Sequence, residues 1–301
     1  MKSQDQHFKK SSWAAVSAFT IVELAAVVAL VLFLSLLALP VLARTKPNGK
    51  SAQCLNNLRQ FTAAWTMYST DNQERVPNNY GFNEMLSSIS TGALDNWANN
   101  VMTWSAGTSV ADSSNTNIDW ITKGVLGRYL ADPVRVYKCP ADSFLSSSQI
   151  ASGYQARLRS ISMNSLFGRY SAGNDVTAQG INEFFPQYKQ YLKQTSVLKP
   201  AKTWLALDEH PDSINDGYFI NNPSATGWQD IPASYHNGAA SFAFADGHSE
   251  LKRWQSRTSI LPVRFAYSSM SFDAFGRQDF TWYLEHSGYI SAYTGLSAFG
   301  Y

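Results

Sequence analysis

Apolar and polar positions change pattern twice in the first seventy residues. Residues 1–18 are mixed and basic. Phe19 to Ala43 then reads FTIVELAAVVALVLFLSLLALPVLA, with Glu23 as its one ionisable residue. A helix of these twenty-five residues rises about 37 Å, enough to cross a hydrocarbon core of about 30 Å. The run exceeds the apolar part of a secretory signal peptide, and Arg44-Thr45-Lys46 follows it in place of a small-residue cleavage site. It predicts a retained membrane-spanning helix over 19–43, loosened late by Pro40. Lys46-Pro47-Asn48-Gly49 interrupts it. Beyond, Leu55, Leu58, Phe61, Trp65 and Tyr68 fall on one helical stripe. That spacing predicts an amphipathic stalk helix over 44–70 whose apolar side needs a sheet as cover.

Weaker patterns follow. Residues 77–120 are rich in Asn, Ser, Thr and Gly and predict long loops, with a helical piece around 82–89. Residues 121–130 predict a short helix, and Val134 to Lys138 a strand leading into Cys139-Pro140-Ala141-Asp142. Residues 146–200 are again loop-rich. Trp204 to Asp208 predicts a strand, with Gly217 to Ile220 as its neighbour. Ser241-Phe242-Ala243-Phe244-Ala245 alternates large and small side chains. Asp246-Gly247 predicts a two-residue type I′ turn, after which His248 to Trp254 returns. The aromatic residues of 257–301 are expected to wrap the sheet edge. No internal repeat is present.

Composition narrows the function classes. The 301 residues are 45% apolar and 14% aromatic, which excludes a disordered chain. Charged residues make up only 15%, a depletion common in extracytoplasmic proteins. The net charge of +2 resides formally in residues 1–18, so no basic excess points to nucleic acid. Two cysteines exclude a disulfide-dense scaffold and a four-cysteine zinc site.

Ser17-Ala18-Phe19-Thr20-Ile21-Val22-Glu23-Leu24 followed by an apolar stretch resembles the signature of type IV prepilins and type II secretion pseudopilins. The resemblance implies cleavage by a prepilin peptidase between Ala18 and Phe19 and methylation of the new amine. Ala18 stands where the family normally has Gly. Glu23 becomes the fifth residue of the mature chain, the family's assembly acid, paired with the Phe19 amine of a neighbouring subunit. A second block, His236 followed by nine residues and Asp246-Gly247, resembles the H-X9-DG domain found behind such N-termini. Cys54-Leu55-Asn56-Asn57-Leu58-Arg59-Gln60, Lys138-Cys139-Pro140-Ala141-Asp142, Ser162-Met163-Asn164 and Lys199-Pro200-Ala201-Lys202-Thr203 agree with it. If residues 237–245 are extended, His236 and Asp246 lie about 30 Å apart, which argues for two structural roles: His236 anchoring the loop before the hairpin, Asp246-Gly247 making its turn.

Candidate chemistry is sparse. In an extracytoplasmic head Cys54 and Cys139 can form a disulfide, with two buried thiols as the alternative. Asp208, Glu209, Asp212 and Asp216, with Asn215, make an oxygen-rich cluster that suits calcium, or equally a solvated loop. A zinc site from His210, His236 and His248 with Asp208 lacks supporting spacing. No nucleophile elbow or phosphate loop appears, so no enzyme is expected.

The expectation is therefore an α+β, pilin-like fold: basic leader 1–18, membrane and assembly helix 19–43, stalk helix 44–70, and a head over 71–301 carrying the 236–247 motif. The implied protein is a structural pseudopilin or pilin subunit, single-pass in a bacterial inner membrane with a periplasmic head, without a cofactor unless calcium. Its implied partners are the peptidase, like subunits and a secretion assembly platform. The alternative is a membrane-anchored extracytoplasmic binding protein for glycan or protein that does not polymerise.

Overall fold

The computed structural model describes residues 20–32, 49–173, 175–186 and 188–288. The chain divides into two units at Pro47/Asn48. In the first, residues 21–32 form helix α1. Thr20 and Glu23 cap it reciprocally. The Glu23 carboxylate accepts from the Thr20 backbone N–H at 2.9 Å and hydroxyl at 2.8 Å, and the Glu23 N–H donates to Thr20 Oγ1 at 3.3 Å. Thr-Ile-Val-Glu is thus a capping box, legible in the sequence as Thr followed three residues on by Glu. Ala18, Phe19, Pro40 and the leader lie outside the described residues.

The expected inner-membrane, single-pass placement is overturned. Among the described residues no helix is long and apolar enough to cross a membrane. Helix α1 rises about 18 Å over residues 21–32, well short of the roughly 30 Å required. The expectation took the whole apolar run as one helix, and residues 33–48 lie outside the described residues.

The second unit is a mixed α+β fold. Helix α2 (Gly49–Asp71) covers a five-stranded sheet of order β3-β1-β2-β4-β5. The strands are β1 (Ile161–Asn164), β2 (Trp204–Asp208), β3 (Tyr218–Phe219), β4 (Ala239–Phe244) and β5 (Ser249–Arg253). All neighbours are antiparallel except β1 and β3. The expected neighbour of β2 at 217–220 is a strand, but β1 lies between them. Beta-1 hid in the loop-rich stretch because its four residues, Ile-Ser-Met-Asn, alternate over only two apolar positions, too short a run to stand out, and its polar positions are buried as well.

Helix α2 buries Ser51, Cys54, Leu58, Phe61 and Trp65, spaced three, four, three and four. Its buried stripe therefore starts at Ser51 and Cys54, while Leu55 and Tyr68 are only half-buried. Phe61 meets Trp97 and Tyr137 edge-on at 5.3 and 5.9 Å between ring centroids. On the other face of the sheet, helix α3 (Ala274–Glu285) brings Trp282 to Phe242 at 5.1 Å and Tyr283 to Trp204 at 5.6 Å. Asp273 caps α3 by accepting from the Gly276 N–H at 2.6 Å. The sheet is thus covered on both sides, which is why β2 and β4 are buried along their whole length.

One irregularity orients the site. Trp204 pairs with Phe244 and Ala206 with Ala243, so Leu205 is an extra residue, a β-bulge. Without it, Trp204 and Asp208 would share a face. With it, Trp204 joins the α3 side and Asp208, opposite Ser241, faces α2.

Other local expectations change. Val134–Lys138 is not a strand. Pro133–Val136 is a helical turn, because Pro133 sits at its first position and Asp132 accepts the Arg135 N–H at 3.1 Å. The helix at 82–89 is present as Phe82–Thr91. The 121–130 piece becomes two turns, Asp119–Thr122 and Gly127–Tyr129. The hairpin is present, but its turn is a three-residue loop. The Gly247 N–H donates to Phe244 O at 3.0 Å, and only Gly247 (φ 102°) is left-handed, whereas type I′ needs positive φ at two residues.

Candidate functional site

The buried polar face between α2 and the sheet collects chemistry from four distant segments. One ligand-type atom each from Cys54, Cys139, Asp208 and His236 lies within 4.8 Å of all the others, and all four residues are buried. Cys54 enters from the first turns of α2. Asp208 ends β2, just past the bulge. Cys139 sits on a tight loop after the Pro133–Val136 turn: its N–H donates to Ser160 Oγ at 2.5 Å and its carbonyl accepts from the Asp142 N–H at 3.0 Å. Asp142 is held in turn by Lys138 at 2.8 Å and Arg157 at 2.7 Å. His236 precedes β4. Asn237 (φ 55°) and Gly238 (φ 79°) turn the chain sharply, and the His236 N–H donates to Ala239 O at 3.1 Å.

Within the cluster Cys54 Sγ lies 3.4 and 3.3 Å from the two Asp208 oxygens. Cys139 Sγ lies 3.4 Å from His236 Nε2, which is 3.5 Å from Asp208 Oδ2. Two serines complete the surroundings. Ser51 Oγ is 3.0 Å from His236 Nδ1, and Ser241 Oγ donates to Asp208 Oδ2 while lying 3.0 Å from Cys54 Sγ. Burial, the largest influence, works against both thiolates. It holds the Cys54 thiol well up, whereas hydrogen bonds from Cys54 and His236 outweigh it at Cys139 and bring that thiol down. Burial also opposes the His236 cation, but hydrogen bonds to Asp208 and Cys139 overcome it and raise the imidazole to about 9.

The expected Cys54–Cys139 disulfide is not formed; both cysteines are free and buried. The disulfide reading rested on an extracytoplasmic head; the two thiols hydrogen-bond each other and also face Asp208, Ser241 and His236. The four carboxylates of the calcium expectation do not converge among the described residues. Asp208 faces α2. Glu209 accepts from Ser213 Oγ at 2.8 Å, Asp212 from the Arg264 and Phe265 N–H groups, and Asp216 from the Tyr218 N–H at 2.8 Å. Each is occupied by a different protein donor, which short-range sequence clustering cannot reveal. Of the three histidines considered, only His236 joins the cluster. His210 bonds Leu261 O at 3.0 Å, and His248 bonds Asp246 at the hairpin turn at 2.6 Å. Asp246 and Gly247 accordingly make the turn, and His236 holds the chain before it.

Behind the cluster lies a second buried polar group. Arg159 donates to Ile161 O, Ser162 Oγ, Asp216 O and Asn100 Oδ1 at 2.7, 3.0, 2.6 and 3.2 Å. Burial pulls its guanidinium down to about 10 against the attraction of Glu209 and Asp216. The same burial pushes Glu209 up to about 8 and Asp216 up to about 6. These groups sit against Trp97 and the sheet and fill a hydrogen-bonded interior.

Sequence reasoning missed Ser51, Ser241 and the meeting of Cys54 with Cys139, Asp208 and His236. A signal for the first was present: Ser51 and Cys54 continue the Leu58-Phe61-Trp65 stripe in phase. Among the described aromatic residues Phe144, Phe184, Tyr267 and Phe275 are exposed. No described tryptophan is exposed, and the rings pack mainly edge-on in the core. No family model, curated protein or solved structure matches the chain.

Proposed function

We propose that this chain is a structural, pilin-like subunit that polymerises through helix α1 after cleavage before Phe19. The observation that carries the reading is the state of α1. Ile21, Val22, Leu24, Val27, Val28, Leu30, Val31 and Leu32 are all exposed, between 49% and 87%. A helix apolar around its circumference and open to water needs cover, since each such side chain gains about 1.5–3 kcal/mol on full burial. Like copies of the helix supply that cover at equal diameter and with matching surfaces. The one acid on it, Glu23, sits five residues past the leader junction, where it meets the cationic terminus that cleavage creates on a neighbour. The dispersed blocks that resemble the H-X9-DG domain also support the reading, because Cys54, Cys139 and His236 converge on one place in the fold.

Glu23 has a local role as well, so the test must separate cap from charge. Glu23→Gln keeps the capping box and removes the charge; Thr20→Ala weakens the cap, at about 1 kcal/mol, and keeps the charge. Filaments are scored by microscopy and sedimentation in the native cell, and the mature N-terminus by mass. Assembly is expected to fail in Glu23→Gln and survive in Thr20→Ala, on a chain beginning with methylated Phe19. Filaments formed normally by Glu23→Gln, or a mature chain still beginning at Met1, would refute the proposal.

A further inference from the structure

We infer that Cys54, Cys139, Asp208 and His236 form a closed, structural zinc site that fastens helix α2 to the sheet. Two thiolates, one imidazole and one carboxylate are a donor set suited to zinc and unsuited to calcium, which takes oxygen alone. The spacing fits. A tetrahedral zinc with bonds of about 2.3 Å to sulfur and about 2.0 Å to nitrogen and oxygen has S–N and S–O edges of about 3.5 Å and an N–O edge of about 3.3 Å. The corresponding separations are 3.4 Å for Cys139 Sγ to His236 Nε2, 3.3 Å for Cys54 Sγ to Asp208 Oδ2, and 3.5 Å for His236 Nε2 to Asp208 Oδ2.

The surroundings match a metal centre too. Ser51 Oγ lies 3.0 Å from His236 Nδ1, in place to accept that N–H once Nε2 gives up its proton and turns its lone pair to a metal. Ser241 Oγ donates to Asp208 and so orients its carboxylate. Such outer hydrogen bonds align ligands and raise their basicity. All four residues are at most 4% exposed, and four protein donors are enough to fill a four-coordinate zinc without water. A closed site of this kind holds structure, whereas a catalytic zinc keeps a position for water. The ligands come from helix α2, the 139 loop, the end of β2 and the turn into β4, so one ion joins parts of the chain far apart in sequence. On binding, Zn2+ enters while the protons of the two thiols and of the imidazolium leave to solvent. No redox change accompanies the step.

The full chain is purified and its zinc content measured by mass spectrometry, with thiols counted before and after chelation. Zinc is then replaced by Co2+. The expected result is one zinc per chain, two thiols that react only after chelator, and a Co2+ derivative with thiolate charge-transfer absorption and intense tetrahedral visible bands. Chelator is expected to lower the thermal midpoint. Ser51→Ala, which keeps every ligand, is expected to bind Co2+ 10- to 100-fold more weakly, in the range typical of lost outer hydrogen bonds. Cys139→Ser and His236→Gln are expected to lose the tetrahedral spectrum; should they fail to fold, the unaltered chain's metal content and spectrum still decide. A Cys54–Cys139 disulfide by mass, failure of the unaltered chain to take up zinc or cobalt, or a Co2+ spectrum retained in folded Cys139→Ser would each overturn the site.

Discussion

Replacing Arg159 with Met tests whether the interior behind the cysteine–histidine cluster is held by a charge. Met matches the stem and removes the guanidinium. Four hydrogen bonds go with it, to Ile161 O, Ser162 Oγ, Asp216 O and Asn100 Oδ1. The two carboxyls it attracts, Glu209 and Asp216, are already raised by burial to about 8 and about 6. Removing one partner from a buried charged network costs about 3–5 kcal/mol. In a unit of this size that corresponds to a fall in melting temperature of about 10 °C. The effect carries a pH signature. Below pH 5 both carboxyls are largely protonated in the folded protein, and loss of the cation removes hydrogen bonds alone. The unfolded chain has both acids ionised above about pH 5; toward pH 8 the folded parent ionises them beside the guanidinium, whereas the folded variant resists this more strongly. Stability from chemical denaturation should therefore drop more at pH 8 than at pH 5. A loss under about 1 kcal/mol, or one independent of pH, would show that the guanidinium fills space without organising the acids.

Three further outcomes are expected. Asp216, raised to about 6 in the folded state, holds a proton that the unfolded chain releases near 3.9, so its contribution falls by roughly 2–3 kcal/mol as pH climbs from 4 to 6. Asp216→Asn keeps an acceptor for the Tyr218 N–H and should remove that part of the slope in parallel urea titrations; an unchanged slope speaks against the raised acid. Phe61→Ala opens the α2 face against Trp97 and Tyr137 and should cost about 3–5 kcal/mol, with a loss near 1 kcal/mol arguing that the helix is loosely seated. Gly247→Ala meets no atom within 4 Å yet must adopt φ 102°, so its penalty should be the backbone term alone, about 1–2 kcal/mol, read from thermal unfolding. A neutral result there means the turn can rearrange.

Much of the local structure could be read from the chain. The stripe of α2 followed from three- and four-residue spacing, and the β4–β5 hairpin from alternation flanking Asp246-Gly247. Both depend on neighbours within about seven residues, where backbone geometry determines which side chains share a face. The same reasoning erred where short-range signals compete. Asp132 and Pro133 made a helical turn of a β-branched run, and the apolar run after Phe19 looked like one spanning helix although the described helix covers only residues 21–32.

The sequence by itself determined the capped, apolar character of α1, the buried stripe of α2 and the hairpin, because each follows from periodicity or turn chemistry along a continuous stretch. Only the tertiary structure decided that β1 lies between β2 and β3, that the bulge at Leu205 turns Asp208 toward α2, and that Asp208 meets Ser241, Cys54, Cys139 and His236. Those contacts join residues up to 187 positions apart. Strand register and helix seating bring them together, and no local pattern encodes either.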